Sequence, residues 1–275
     1  PMSPAPRYSP PEAPERSSRV WRFIETPPAP GAYNMALDEA LMDSVRGGGA
    51  PVLRIYGWDP SCVSLGRNQP ARGRYDAAAL RKAGIDVVRR ATGGRAVLHD
   101  AELTYAVVAP AREFASARRA YREINAVLVR SLERLGAPAS LHAGAPGERA
   151  PVPSTAPCFS EPVGGEVVAG GRKLMGSAQV CLGSVILQHG SLPLRRSRAL
   201  PDLPPGLAAD LDGHPAFLAE VLGALPDWRS LVESILMDWR AEIGAWERWE
   251  MDAALSGRVA ALEERYRSDE WTWRL

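Results

Sequence analysis

Arg89-Arg90-Ala91-Thr92-Gly93-Gly94-Arg95-Ala96-Val97-Leu98-His99-Asp100 is the stretch on which the reading of the fold turns. A compact apolar run, Ile85 to Val88, precedes it, and strand-like Ala96 to Leu98 and Leu103 to Val108 follow, so its glycines lie in a loop between strands. A glycine pair there permits backbone conformations that other residues avoid and lets amides approach a ligand closely. The flanking arginines favour an anionic or carbonyl-bearing group. Taken alone, the segment equally suits a tight turn with a solvated basic rim.

Outward from this loop, periodicity organises the chain. On the N-terminal side, Val20 to Glu25 alternates as a strand, and Asn34 to Val45 repeats Met35, Leu37, Leu41 and Val45 at helical spacing. Val52 to Tyr56 and Cys62 to Leu65 are expected to pair across the turn residues Gly57 to Pro60, and Tyr75 to Lys82 is a short helix stopped by Gly84. On the C-terminal side, Tyr121, Ile124, Val127, Leu128, Leu132 and Leu135 form one apolar stripe, which predicts a helix from about Arg118 to Leu135. Residues 136–157 are rich in proline, glycine and alanine and form an irregular connection with at most a brief strand near Ser140 to His142. Glu166 to Val168 and Lys173 to Leu182 make a hairpin around Ala169 to Arg172, with Val185 to Leu187 beside it. Sheet building is expected to end near Leu194. Helical periodicity returns at Trp228 to Trp246 and Asp252 to Tyr266. The expected architecture is an α+β domain over 20–194 with a small helical extension over 195–275, behind a proline-rich disordered arm at 1–19.

Composition narrows the function classes. Of 275 residues, 24% are charged and the formal net charge is +1, which gives no global bias toward nucleic acid or membrane. No apolar run approaches the roughly 20 residues that span a bilayer. Three cysteines without a CxxC pair suggest neither a disulfide framework nor a zinc cluster, so no metal is expected, and a reducing cytoplasm fits best.

Two further segments carry chemistry. Pro157-Cys158-Phe159 follows the irregular connection and precedes Gly171-Arg172-Lys173-Leu174-Met175-Gly176-Ser177-Ala178-Gln179. A thiol near an ammonium is held as the thiolate and becomes a nucleophile. The bland alternatives are a packed Cys158 and a surface Lys173; Cys62 and Cys181, inside alternating patterns, take the packed reading. The polar interruption Gln188-His189-Gly190-Ser191 offers His189 either as a base or as an internally hydrogen-bonded ring.

Together, Arg89 to Asp100, Glu102-Leu103-Thr104-Tyr105, Pro157 to Phe159, Gly171 to Gln179 and Leu187 to Leu192 resemble the biotin/lipoate ligase and transferase superfamily in order and spacing. The resemblance spans about Trp21 to Leu194 and implies a mixed-sheet α+β catalytic domain. Biotin ligases carry GRGRxG where this chain has Arg90 to Arg95, and lipoate ligases carry three glycines and HDxGN where it has Gly93-Gly94-Arg95 and His99-Asp100-Ala101-Glu102. The pattern is closer to octanoyltransferases. Cys158, ahead of the Gly171-Arg172-Lys173 segment, resembles the nucleophile of the type first recognised in Gram-positive bacteria, whereas the other class places its cysteine after the lysine, where Cys181 stands.

This resemblance implies Cys158 and Lys173 as catalytic, with Gln69, Arg90, Gly93, Gly94, His99, Gly176, Ser177 and Ala178 binding substrate. It also implies Tyr33, Leu65 and Gln69 along an acyl tunnel, where burial contributes about 0.8 kcal/mol per methylene. The implied reaction moves an octanoyl group from acyl carrier protein through a cysteine thioester to a lysine of a lipoyl-domain protein, such as the glycine cleavage H protein, with no cofactor. The alternatives are a lipoate-protein ligase using ATP and magnesium, and an inactive carrier-binding subunit.

Overall fold

Alternation along the run at Leu103 to Val108 sorts side chains into two layers. In the computed structural model, which describes residues 20–144, 159 and 162–275, Leu103, Tyr105 and Val107 enter one core cluster while Ala106 and Val108 enter another. This strand is therefore buried on both faces, and helices must cover each side. The expected arm at 1–19, most of the irregular connection and Cys158 lie outside the described residues.

The chain runs β1 (Trp21–Glu25), α1 (Gly31–Arg46), β2 (Val52–Tyr56), β3 (Cys62–Leu65), α2 (Ala77–Lys82), β4 (Asp86–Arg89), β5 (Val97–His99) and β6 (Glu102–Pro110). It continues with α3 (Ala117–Arg134), β7 (Ala139–Leu141), β8 (Val167–Ala169), β9 (Arg172–Leu182) and β10 (Val185–Pro193). The remainder is α4 (Pro205–Leu211), α5 (Leu218–Leu222), α6 (Trp228–Glu242), β11 (Trp246–Arg248), α7 (Ala253–Arg267) and α8 (Asp269–Thr272). Eight strands form one mixed sheet in the order β11-β1-β2-β6-β10-β9-β8-β7, and β4-β3-β5 form a second, smaller sheet. The α+β architecture expected from the patterning is the one observed.

The stripe of α3 docks on one face of the large sheet together with α6, burying Ile124, Leu128 and Leu132 beside Leu231, Ile235 and Trp239. Ser116 caps α3 by accepting from the Arg119 amide. On the other face α1 and α7 pack together, through Leu37 and Leu41 and through Leu255 and Val259.

The structure corrects three expectations. First, β2 and β3 do not pair: β2 lies between β1 and β6, while β3 joins β4 and β5. The intervening turn is pinned to the large sheet because the Trp58 indole donates to Thr104 Oγ1 at 2.8 Å, and the chain then crosses to the second sheet. Second, β10 runs through the polar stretch to Pro193, since Gln188, His189 and Ser191 are buried with hydrogen-bond partners from other elements. Third, sheet building resumes after Leu194. β11 pairs in parallel with β1, and the last residues brace the β3–α2 connection, with Leu275 O accepting from the Ala71 and Arg72 amides at 3.0 Å. Among the described residues no helix is long and apolar enough to cross a membrane.

Between α1 and the sheet lies a fully buried guanidinium. Arg54 on β2 donates to Asp38 Oδ1 at 2.7 Å and to Asn34 Oδ1 at 2.6 Å, both on α1, and further to Thr26 Oγ1. Burial pushes the Asp38 carboxyl up, but Arg54 and His189 outweigh it and hold its pKa below the usual value. Removing one member of such a pair leaves an uncompensated buried charge. Asp38→Ala is expected to lower unfolding free energy by about 3–5 kcal/mol in urea titration, and Arg54→Met combined with Asp38→Leu by clearly less.

Candidate functional site

The glycine loop, between β4 and β5, is built by its own arginines. Arg90 turns inward: its guanidinium donates to Ser64 O at 2.8 Å, Ser64 Oγ at 3.0 Å, and the carbonyls of Gly93 and Arg95 at 2.8 Å. Arg89 donates to Gly66 O at 2.7 Å, Gln69 O at 2.8 Å and Thr272 O at 2.9 Å, tying the loop stem to the C-terminal helices. Burial pushes the Arg89 pKa down to about 10. Gly94 has φ +98°, and its carbonyl approaches Gly66 so closely that a Cβ at Gly66 would lie 1.9 Å from the oxygen.

Two histidines extend the frame. His189 on β10 joins Asp38 Oδ2 at 3.0 Å through Nδ1 and Thr92 Oγ1 at 2.7 Å through Nε2. Burial, the largest influence, holds its pKa below the ordinary value against the pull of Asp38, so the ring is neutral near pH 7. His99 on β5 is stacked on Trp58, with ring centroids 4.0 Å apart and planes 11° apart. Its Nδ1 meets Glu102 Oε1 at 2.8 Å and its Nε2 meets Ser64 Oγ at 2.7 Å.

Opposite the loop, the β8–β9 hairpin presents Lys173. Its ammonium is buried and lies 2.7 Å from Glu166 Oε1. Burial raises the Glu166 pKa by more than Lys173 lowers it. Phe159 packs here as well, its ring centroid 5.2 Å from Lys173 Nζ. Farther along β9, Ser177 Oγ hydrogen-bonds Tyr105 OH at 2.8 Å. Burial pushes that phenol up to about 12, so it stays protonated at neutral pH.

These elements enclose a cavity of about 1330 Å³. Arg90, Gly93, Gly94, His99, Lys173, Gly176, Ser177 and Ala178 all contribute to its wall, so the loop and the hairpin, far apart in sequence, face one space. Gln69, Leu65 and Tyr33 do not line it. Gln69 instead accepts from the Gly66 amide and donates to Tyr75 OH, Leu65 is buried in the core of the small sheet, and Tyr33 packs beside Met251. Cys158 lies outside the described residues. Cys62 is fully buried, with its thiol pushed well up chiefly by burial, and Cys181 is exposed; neither lines the cavity. Trp58, Ser64, Glu102 and Glu166 belong to the site without having been expected there. Glu166 was the one within reach, as a carboxylate one hairpin turn from the lysine.

The model of the lipoyl protein ligase A/B catalytic domain matches residues 30–199. This chain belongs to that family. Within it, the chain is 38% identical to the octanoyltransferase LipM of Kyrpidia tusciae, covering 93% of this chain and 99% of that protein. It is 36% identical to the LipM of Symbiobacterium thermophilum, covering 92% and 98% respectively. The crystal structure of a lipoate-protein ligase A bound with ATP matches with a TM-score of 0.71 over 93% of this chain and 98% of that one, at 23% identity, a likeness of fold. The family's catalytic domain thus holds the glycine loop, the lysine hairpin and the cavity between them.

The approach of Gly66 to Gly94 makes a direct forecast. Gly66→Ala forces the loop to move and is expected to cost about 1–3 kcal/mol, visible as a lower Tm, whereas Gly93→Ala, whose Cβ meets nothing within 4 Å, leaves Tm unchanged.

Proposed function

We propose that this chain is an octanoyltransferase that takes an octanoyl group from acyl carrier protein onto Cys158 as a thioester and passes it to a lysine of a lipoyl-domain protein. The observation that carries this reading is the packing of Phe159, the neighbour of Cys158 in sequence, against the buried Lys173 ammonium on the cavity wall. In the sequence Cys158 immediately precedes this anchored phenylalanine, and Lys173 follows Cys158 by fifteen residues. Full-length similarity to octanoyltransferases supports it further.

In this mechanism the thiolate attacks the donor thioester and the carrier thiol leaves. The Gly93 and Gly94 amides and the Lys173 ammonium are the groups available to the developing oxyanion. The lysine amine of the acceptor then attacks the enzyme thioester and an amide results. Exchanging a thioester for an amide runs downhill, so neither nucleotide nor metal takes part, and the compartment is the cytoplasm, where both carrier proteins are made.

The test is substrate choice. Octanoyl-acyl carrier protein should octanoylate the lipoyl-domain acceptor at full rate without nucleotide, and Cys158→Ser should abolish transfer. Efficient use of free octanoate or lipoate with ATP and magnesium, with the carrier thioester inert, would replace this reading by a ligase.

A further inference from the structure

The acceptor lysine poses a problem that the thiol does not solve. With an ordinary pKa near 10.4, its amine is protonated at neutral pH and cannot attack a carbonyl until a base removes the proton. Building on the transferase reading, we infer that Ser64, His99 and Glu102 form a proton relay that takes this proton, with Ser64 Oγ as the group that meets the incoming ammonium.

Hydrogen-bond accounting carries the inference. Glu102 Oε1 lies 2.8 Å from His99 Nδ1, which fixes the proton of the neutral ring on that nitrogen and leaves Nε2 as an acceptor. Ser64 Oγ, 2.7 Å from Nε2, therefore donates its hydrogen there. A hydroxyl has one donor and two lone pairs. Arg90 Nη1 donates to one lone pair at 3.0 Å, and among the described residues no second donor meets the other. Both Ser64 and His99 contribute to the cavity wall that also carries Lys173 and Gly176. The open lone pair thus belongs to a buried residue that contributes to the wall of the space where the acyl group is handled, within a shell that the acceptor amine has to reach.

The neighbours give the relay its direction. Arg90 is a donor only and takes no proton, so a proton arriving at Ser64 passes on to His99. Glu102 balances the charge that the imidazole acquires, and its own position is held by the hydroxyls of Thr104 and Ser191. Trp58 stacks on the ring and restrains its rotation. Other ionisable groups facing this set include Arg90, Tyr56 and His189, in the same wall, and Cys62, paired with His99 across the small sheet. Asp38, His189 and Thr92 repeat the same arrangement, but Thr92, unlike Ser64, does not contribute to the cavity wall.

The step balances. The acceptor ammonium gives one proton to Ser64 Oγ while the serine proton moves to His99 Nε2. The neutral amine attacks the thioester carbonyl, the C–N bond forms and the C–S bond breaks. Sulfur leaves as thiolate and takes the second amine proton as thiol, and His99 returns its proton to water.

The experiment pits two nitrogens against each other. Hydroxylamine is already neutral at pH 7.5 and needs no base, whereas a lipoyl-domain lysine does. With octanoyl-acyl carrier protein as donor and both nucleophiles present, the ratio of lysine amide to octanoyl hydroxamate, each above the enzyme-free background, is measured for the unmodified chain, Ser64→Ala, His99→Gln and Ser64→Thr. The relay predicts a ratio lower by about 100-fold in Ser64→Ala and His99→Gln, in line with the usual contribution of general base catalysis, and recovery in Ser64→Thr. In Ser64→Ala the lysine product should also rise about tenfold per pH unit toward alkaline pH, as the free amine does. A ratio unchanged while both products fall together would make the three residues structural and overturn the relay. Absence of both products from the unmodified chain would instead overturn the transferase reading, and the relay with it.

Discussion

A single buried charge cluster fixes how the layers meet. Arg54 is fully buried between the large sheet and α1, and a guanidinium there is tolerable only because Asp38 and Asn34 face it. Asp38 in turn binds His189 on β10, and His189 binds Thr92 beside the glycine pair. The chain of contacts therefore runs from β2 through α1 and the sheet centre to the loop that forms the cavity wall. A shift of α1 changes the loop, because the carboxylate that compensates the guanidinium also orients the histidine.

The cavity has a second set of constraints from the opposite side. Arg90 closes the loop on itself through the carbonyls of Gly93 and Arg95, and Arg89 ties its stem to residues near the C-terminus. Lys173 is set by Glu166 and by the ring of Phe159. Two walls thus face each other across one space, the glycine pair on one and the Lys173 hairpin on the other. Such preorganisation suits a carbonyl that gains negative charge as it reacts.

What the sequence alone discloses follows from which forces act locally. The stripe of α3, the β8–β9 turn at Gly170 and Gly171, and the glycine loop between strands are all governed by near neighbours, and all were legible. Long-range partners were not. Asp38 and Arg54 read as ordinary charged positions, because only the packing of α1 on β2 makes them a buried pair. Gln188 and His189 read as a break in β10, because their partners Asn125 and Asp38 come from distant helices. Ser64 looks like one polar residue in an apolar strand until β5 brings His99 beside it. Gln69, Leu65 and Tyr33 are implied only by resemblance, and in this chain their side chains serve the β3–α2 connection and the cores.

In the proposed reaction Cys158 carries the acyl group, and the intact mass of the protein reads that step directly. After incubation with octanoyl-acyl carrier protein and no nucleotide, one octanoyl group should be added and hydroxylamine should remove it. The adduct should vanish in Cys158→Ala and persist in Cys62→Ala and Cys181→Ala. An adduct that survives Cys158→Ala, or the lack of any adduct on the unmodified chain, would contradict the account.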